Sequence, residues 1–208
     1  AVARDLDPLT TKLVVMSYHD EKGGQSRGSG LILASSPAAK KAFNISNVTR
    51  ARDLPYPYPE DLVIAQPRMR FYMEKNQEIN RIYKSYVDEA NHHVFSIDES
   101  FLDVTDSFRL FKVSNAYEMA QKIQKDVYDQ TGIYTTIGIG DNPFLAKVAL
   151  DIGAKNEGDM IAEWRYEDVP DTLWQIADLT EVCGIGHRMA RRLKGMGINN
   201  VYDLAHSS

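Results

Sequence analysis

Cysteine is almost missing from this chain: Cys183 stands alone among 208 residues. One thiol excludes an internal disulfide framework and a multi-cysteine zinc site. Also lacking is any apolar run near the roughly 20 residues that a helix needs to span a bilayer. No basic-then-apolar signal segment opens the sequence, so a cytoplasmic protein without membrane contact is the expectation. Basic residues are not in excess either. Lys and Arg number 24 against 29 Asp and Glu, a net charge of −5, which on average argues against a nucleic-acid binder. The average hides the distribution. Residues 184–201 carry Arg188, Arg191, Arg192 and Lys194 and no acid, whereas carboxylates gather in residues 157–171. The hydrophobic fraction of 43% and charged fraction of 25% suit a globular chain with a real core.

Periodicity divides the chain into elements. Residues 12–17 and 30–34 read as strands joined by a polar loop over 18–29, and Pro37 opens a short helix to Phe43, where its missing N–H costs nothing. Pro55, Pro57 and Pro59 demand an extended connection. A strand over 62–65 precedes a helix over 68–88. On it Met69, Met73, Ile79, Ile82, Tyr83 and Tyr86 fall near helical spacing, a stripe that reads as core contact. Ser114 resembles an N-cap for a helix that buries Tyr117, Ala120, Ile123 and Val127 and stops at Gly132. Residues 134–139 alternate as a strand, Asn142-Pro143 start a helix running to about Ala154, and residues 160–162 make an edge strand. This order predicts an α+β fold, an antiparallel sheet with helices on one face.

Chemistry concentrates in the run Ser96-Ile97-Asp98-Glu99-Ser100-Phe101-Leu102-Asp103. Strand formers lead in and out, so residues 98–100 read as the tight link of a hairpin. Neighbours within a strand point to opposite faces, but a turn can bring Asp98 and Glu99 to one point. Such a pair suits a hard divalent cation such as Mg2+; a solvated acidic turn fits these residues as well. Further on, Gly184-Ile185-Gly186 followed by Ala190 and Leu193 has the pattern of a helix-hairpin-helix. Its glycines let the backbone approach a phosphate, and N–H groups at the next helix start face the anion. Arg188, Arg191 and Arg192 can add charge-assisted contacts that hold a nucleic-acid backbone without reading sequence.

With these segments in order, the chain resembles the Y-family DNA polymerases, particularly the UmuC-like bacterial branch. Residues 96–103 look like that family's second metal-binding motif. Residues 137–151, with Lys147, are similar to its triphosphate motif, and residues 183–204 resemble its thumb. The resemblance implies fingers over 1–61, an antiparallel-sheet palm over 62–165 and a helical thumb over 166–208. It implies Asp98 as a catalytic metal ligand with Glu99 beside it, Mg2+ as cofactor (two ions in the full-length enzyme), and Lys147 on the triphosphate. Lys41 stands where the family has an arginine and Ala38 where it has a tyrosine. Asp103 and Asp151 are expected to orient nearby groups. The implied partners are primer–template DNA and dNTP, with a sliding clamp and SOS accessory proteins reached through segments outside these residues. The family's first palm strand, with its metal-binding aspartate, and its little finger have no counterpart here, so the 208 residues alone are expected to be inactive. The competing readings are a non-catalytic DNA-binding or regulatory relative and a metal-dependent nuclease.

Overall fold

The computed structural model describes residues 1–17, 30–45, 49–55, 57–155 and 157–207. The expected loop over 18–29 lies outside the described residues, as does Tyr56 of the proline-rich connection. The chain separates into two compact units, Ala1–Lys75 and Asn76–Ser208. No helix among the described residues is long and apolar enough to cross a membrane.

The first unit is built on strand β1 (Leu13–Met16), which pairs antiparallel with β2 (Ile32–Ser35) and parallel with β3 (Val63–Ala65). Between β2 and β3 runs helix α1 (Pro37–Phe43). Ser36 starts it: its Oγ accepts from Ala39 N–H at 3.1 Å and from Leu13 N–H at 3.0 Å, and donates to the Thr11 carbonyl at 2.6 Å. One hydroxyl thus caps the helix and ties it to the start of β1. Val14, Met16, Ile32, Ala39, Leu54 and Leu62 form the core of this unit.

Helix α2 (Met69–Tyr83) follows. It stops short of the expected Asp88, and Tyr86 and Val87 are buried in the turns beyond it. The stripe read as core contact is core only in its second half. Met69 and Met73 are 53% and 54% exposed, because the apolar cluster meets this helix from Ile79 onward.

The second unit holds β4 (His92–Val94) antiparallel to β5 (Ser100–Leu102), a short helix α3 (Phe108–Phe111), and helix α4 (Ala116–Thr131). Asn115, rather than Ser114, caps α4: its side chain accepts from Glu118 N–H at 2.8 Å, while Ser114 N–H donates to the Glu118 carboxylate at 2.7 Å. Met119, Ile123 and Val127 pack against Ile82, Tyr86 and Val87, and Gly132 ends the helix at φ 68°. Strand β6 (Ile137–Gly140) leads into α5 (Pro143–Val148), a π-helical turn over Ala149–Ala154, and β7 (Ile161–Trp164).

The α+β class stands, but the single antiparallel sheet does not. The described strands form three small sheets, and β6 runs parallel to β7, with Ile137 opposite Ile161. The helical crossover between them carries the chain back to the starting end, which makes the pair parallel. The chain closes with α6 (His187–Gly195) and α7 (Val201–Ala205), whose Ala190 and Val201 share a core with Val148, Leu179 and Val182.

Candidate active site

Helix α5 lies on β6 backbone to backbone. A Cβ at Gly138 would stand 2.0 Å from the Ala146 carbonyl oxygen and 2.4 Å from the Leu150 nitrogen, so only glycine permits this approach. It sets the position of Lys147, one residue beyond Ala146. Asn142 fixes the start of α5, its side chain accepting from Leu145 N–H at 2.8 Å with Pro143 at the first helical position. The π-helical turn after Val148 is of a kind that recurs at functional sites.

From this platform Lys147 reaches a carboxylate 48 residues away. Its Nζ donates to Glu99 Oε1 at 2.5 Å and to Asp151 Oδ1 at 3.1 Å, and Asp151 also accepts from Lys155 at 3.3 Å. Lys147 is 11% exposed, Glu99 30% and Asp151 25%. Burial works against the ammonium, but the hydrogen bonds to Glu99 and Asp151 outweigh it and hold the Lys147 pKa above its ordinary value.

The acidic hairpin is wider than a link over 98–100. Residues 95–99 form its loop, closed because the Phe95 and Ser96 N–H groups both donate to the Glu99 carbonyl, at 3.0 and 3.1 Å. Asp98 is exposed at this loop, its Oδ1 accepting from Ser96 Oγ at 2.9 Å. Phe95 packs edge-on against Phe101, ring centroids 5.3 Å apart. Asp103 instead turns to Thr105, whose side-chain and backbone donors hold its carboxyl below the usual range.

An open cleft of about 570 Å³ runs beside these groups. Phe95, Glu99, Lys147 and Asp151 line one side, and residues 180–186 the other. The glycine hairpin is therefore part of the same cleft. Gly184 takes φ 91°, which an L side chain rarely adopts, and Gly186 is the N-cap of α6. Arg188, Arg191 and Arg192 are exposed on α6. Cys183 is exposed and lines the cleft.

The structure thus brings together Glu99, Lys147, Gly184, Ile185 and Gly186. Asp98 is next to Glu99 in the chain and is not among the cleft-lining residues. Lys41 is exposed on α1 in the first unit. Among the described residues no group of three or more His, Cys, Asp or Glu side chains is placed to hold a metal ion. The hard oxygens of Asp98 and Glu99 suit Mg2+ in kind, but they are two, and Glu99 is engaged by Lys147. They can form only part of a shell, with phosphate oxygens or further carboxylates as the rest.

Sequence reasoning missed Phe95, whose ring is exposed at the cleft, and the polar pair Asn76 and Asn80 on α2. Asn80 donates to Asn76 Oδ1 at 2.9 Å, and Asn76 donates to the Ile97 carbonyl at 2.5 Å. The only signal was their spacing of four on a helix that is otherwise half apolar on that side.

Residues 1–151 match the model of the impB/mucB/samB family, and residues 166–198 match its helix-hairpin-helix motif. A putative UV-damage repair protein, UvrX, of Bacillus subtilis (strain 168) is 39% identical over 207 residues, covering 99% of this chain and 46% of that protein. A DNA polymerase IV 2 of the same organism is 33% identical over 197 residues, covering 95% of this chain and 45% of its own length. Among solved structures, a Y-family DNA polymerase chimera superposes with a TM-score of 0.74 at 26% identity, over 95% of this chain and 54% of the other. An insertion ternary complex of Dbh DNA polymerase gives 0.69 at 26% identity, over 94% and 53%. The chain spans about half the length of the relatives it matches.

Proposed function

We propose, from the premise that this chain belongs to the impB/mucB/samB family of Y-family DNA polymerases, that the polypeptide carrying it is a template-directed DNA polymerase of the lesion-bypass type, acting in DNA repair and damage tolerance. The observation that carries this reading is the cleft. It joins a carboxylate of the acidic hairpin, the lysine of the triphosphate motif and the glycine hairpin, three groups suited to a cation, a nucleotide and a nucleic-acid backbone.

In this reading Asp98 and Glu99 supply oxygen ligands to Mg2+, which when bound stabilises the attacking and leaving oxygens of phosphoryl transfer. Lys147 carries the charge that meets the triphosphate. Until the nucleotide arrives, Glu99 and Asp151 keep that ammonium paired, so the cleft does not hold a bare buried cation. Lys41 is the candidate for a second triphosphate contact, as a point charge rather than the bidentate fork of an arginine. Gly184 and Gly186 bring backbone N–H groups to the DNA, Ile185 between them closes the hairpin by donating its own N–H to the Val182 carbonyl at 3.0 Å, and Arg188, Arg191 and Arg192 neutralise the DNA phosphates. Residues 62–165 then act as palm and 166–208 as thumb.

The test is one gel. The full-length polypeptide carrying this sequence is incubated with primer–template, dNTP and Mg2+. Extension that disappears with Asp98→Ala, while DNA binding persists, supports the proposal. Degradation of the primer would make the protein a nuclease. DNA binding without extension would make it a non-catalytic relative.

A further inference from the structure

We infer that Asn76 is a positioning residue for the carboxylate loop, anchoring the peptide group on which Asp98 hangs. This rests on the polymerase reading above and adds to it a residue on a different element. The observation is a continuous, one-directional line of hydrogen bonds. The Asn76 amide donates to the Ile97 carbonyl at 2.5 Å, and Asn76 Oδ1 accepts from Asn80 Nδ2 at 2.9 Å. Asn80 Oδ1 accepts in turn from Ser100 Oγ and His92 Nε2, both at 3.0 Å. Each donor passes its polarity to the next, so the bonds reinforce one another. Since Asn80 Oδ1 only accepts, His92 carries its proton on Nε2.

The loop needs such an anchor. Phe95 and Ile97 are about half exposed, so burial does not fix residues 95–99, and Asp98 itself is at the surface. The bonds from Phe95 and Ser96 to the Glu99 carbonyl, and from Ser96 to Asp98, give the loop its shape but not its place. Beyond the hairpin strands and the Phe95–Phe101 contact, two hydrogen bonds in the described residues tie the loop to other elements: Lys147 to Glu99 and Asn76 to Ile97. Lys147 is the group proposed to turn to the triphosphate, and its grip on Glu99 is lost when it does. Asn76 is the tie that persists. The carbonyl it holds belongs to the Ile97–Asp98 peptide plane, so rotation of that plane would carry the Asp98 carboxylate with it.

The test uses the full-length polypeptide with Asn76→Asp, which keeps the shape but cannot donate, and Asn76→Gln, which restores an amide donor. Amide hydrogen exchange at Phe95 and Ser96 should speed up about fivefold in Asn76→Asp, the worth of one net hydrogen bond. The melting temperature should fall by only about 2–4 °C, the same single bond expressed globally in a chain of this size, and exchange in α4 should quicken by no more than that fivefold. In primer extension, kcat should fall between about tenfold and a hundredfold, the scale of a shift of roughly 1 Å. The dNTP KM and the Kd for primer–template should stay within about twofold, and Asn76→Gln should recover part of the loss. Unchanged exchange and unchanged kcat in Asn76→Asp would overturn the inference. Exchange that quickens well beyond fivefold throughout α2 and α4 would also overturn it, by showing a general structural role. If the wild type extends no primer, the polymerase reading falls, and the exchange rates alone decide whether Asn76 anchors the loop.

Discussion

Replacing Lys147 by methionine should destabilise the protein by about 2 kcal/mol, and the structure sets that size. The ammonium makes two charge-assisted hydrogen bonds, at 2.5 Å to Glu99 and 3.1 Å to Asp151. Bonds of that kind contribute roughly 1.5–3 kcal/mol each. Against this stands the desolvation of a side chain only 11% exposed, a cost of several kcal/mol that disappears with the charge. Methionine keeps most of the apolar stem, so little packing is lost. The carboxylates left behind are not fully stranded: Glu99 stays partly hydrated, and Asp151 keeps Lys155 at 3.3 Å. The remainder is about 2 kcal/mol, or a fall in Tm of roughly 4–8 °C for a chain of this size. Urea and thermal unfolding followed by circular dichroism would measure it. Adding Glu99→Gln to Lys147→Met should restore about 1 kcal/mol, because the unpaired charge is then gone. An unchanged Tm in the single variant would refute the reasoning. So would a double variant whose effects add to within about 0.3 kcal/mol, since the three side chains would then not act as one unit.

Other outcomes follow from the same contacts. Gly138→Ala should cost about 2–4 kcal/mol in urea unfolding, because its Cβ meets backbone atoms of α5 and the turn after it rather than a side chain that can move aside; Gly158→Ala, with open space around it, is the neutral control. Ser36→Ala should cost about 1–2 kcal/mol, since one hydroxyl caps α1 and bridges to residues 11 and 13. Stability should fall in acid: hydrogen bonds from Arg165 and the Tyr166 N–H lower the Asp141 pKa, and those from Thr105 lower that of Asp103. Their contribution is present above the unfolded aspartate value of about 3.9 and is lost as pH falls through the depressed folded values; a melting temperature flat from pH 4 to pH 2 would contradict this. The Lys147 pairing behaves oppositely, being complete below the unfolded lysine value of about 10.4 and lost as pH rises through its raised folded value.

Much of the local structure was legible because its causes are local. Pro37 at the start of α1, Asn142-Pro143 at the start of α5 and Gly132 at the end of α4 act within one helical turn. The buried face of α4 repeats every three to four residues. The family, too, was legible, since the resemblance rested on short runs in a fixed order, the acidic pair, the segment around Lys147 and Gly184-Ile185-Gly186, and the family models match residues 1–151 and 166–198. These features belong to the linear chain, and folding only expresses them.

What tertiary structure decided is which of these runs meet. The parallel pairing of β6 with β7 depends on where the helical crossover returns the chain, which strand patterns do not encode. Met69 and Met73 sit at core spacing, yet the apolar cluster reaches α2 only from Ile79 onward. The pairing of Lys147 with Glu99 spans 48 residues and follows from glycine contacts that lay α5 on β6. Asn76 is the clearest case. It holds a peptide carbonyl, a group every residue carries, so no residue type at position 97 announces the bond; only the packing of α2 beside the hairpin brings the amide within 2.5 Å of it.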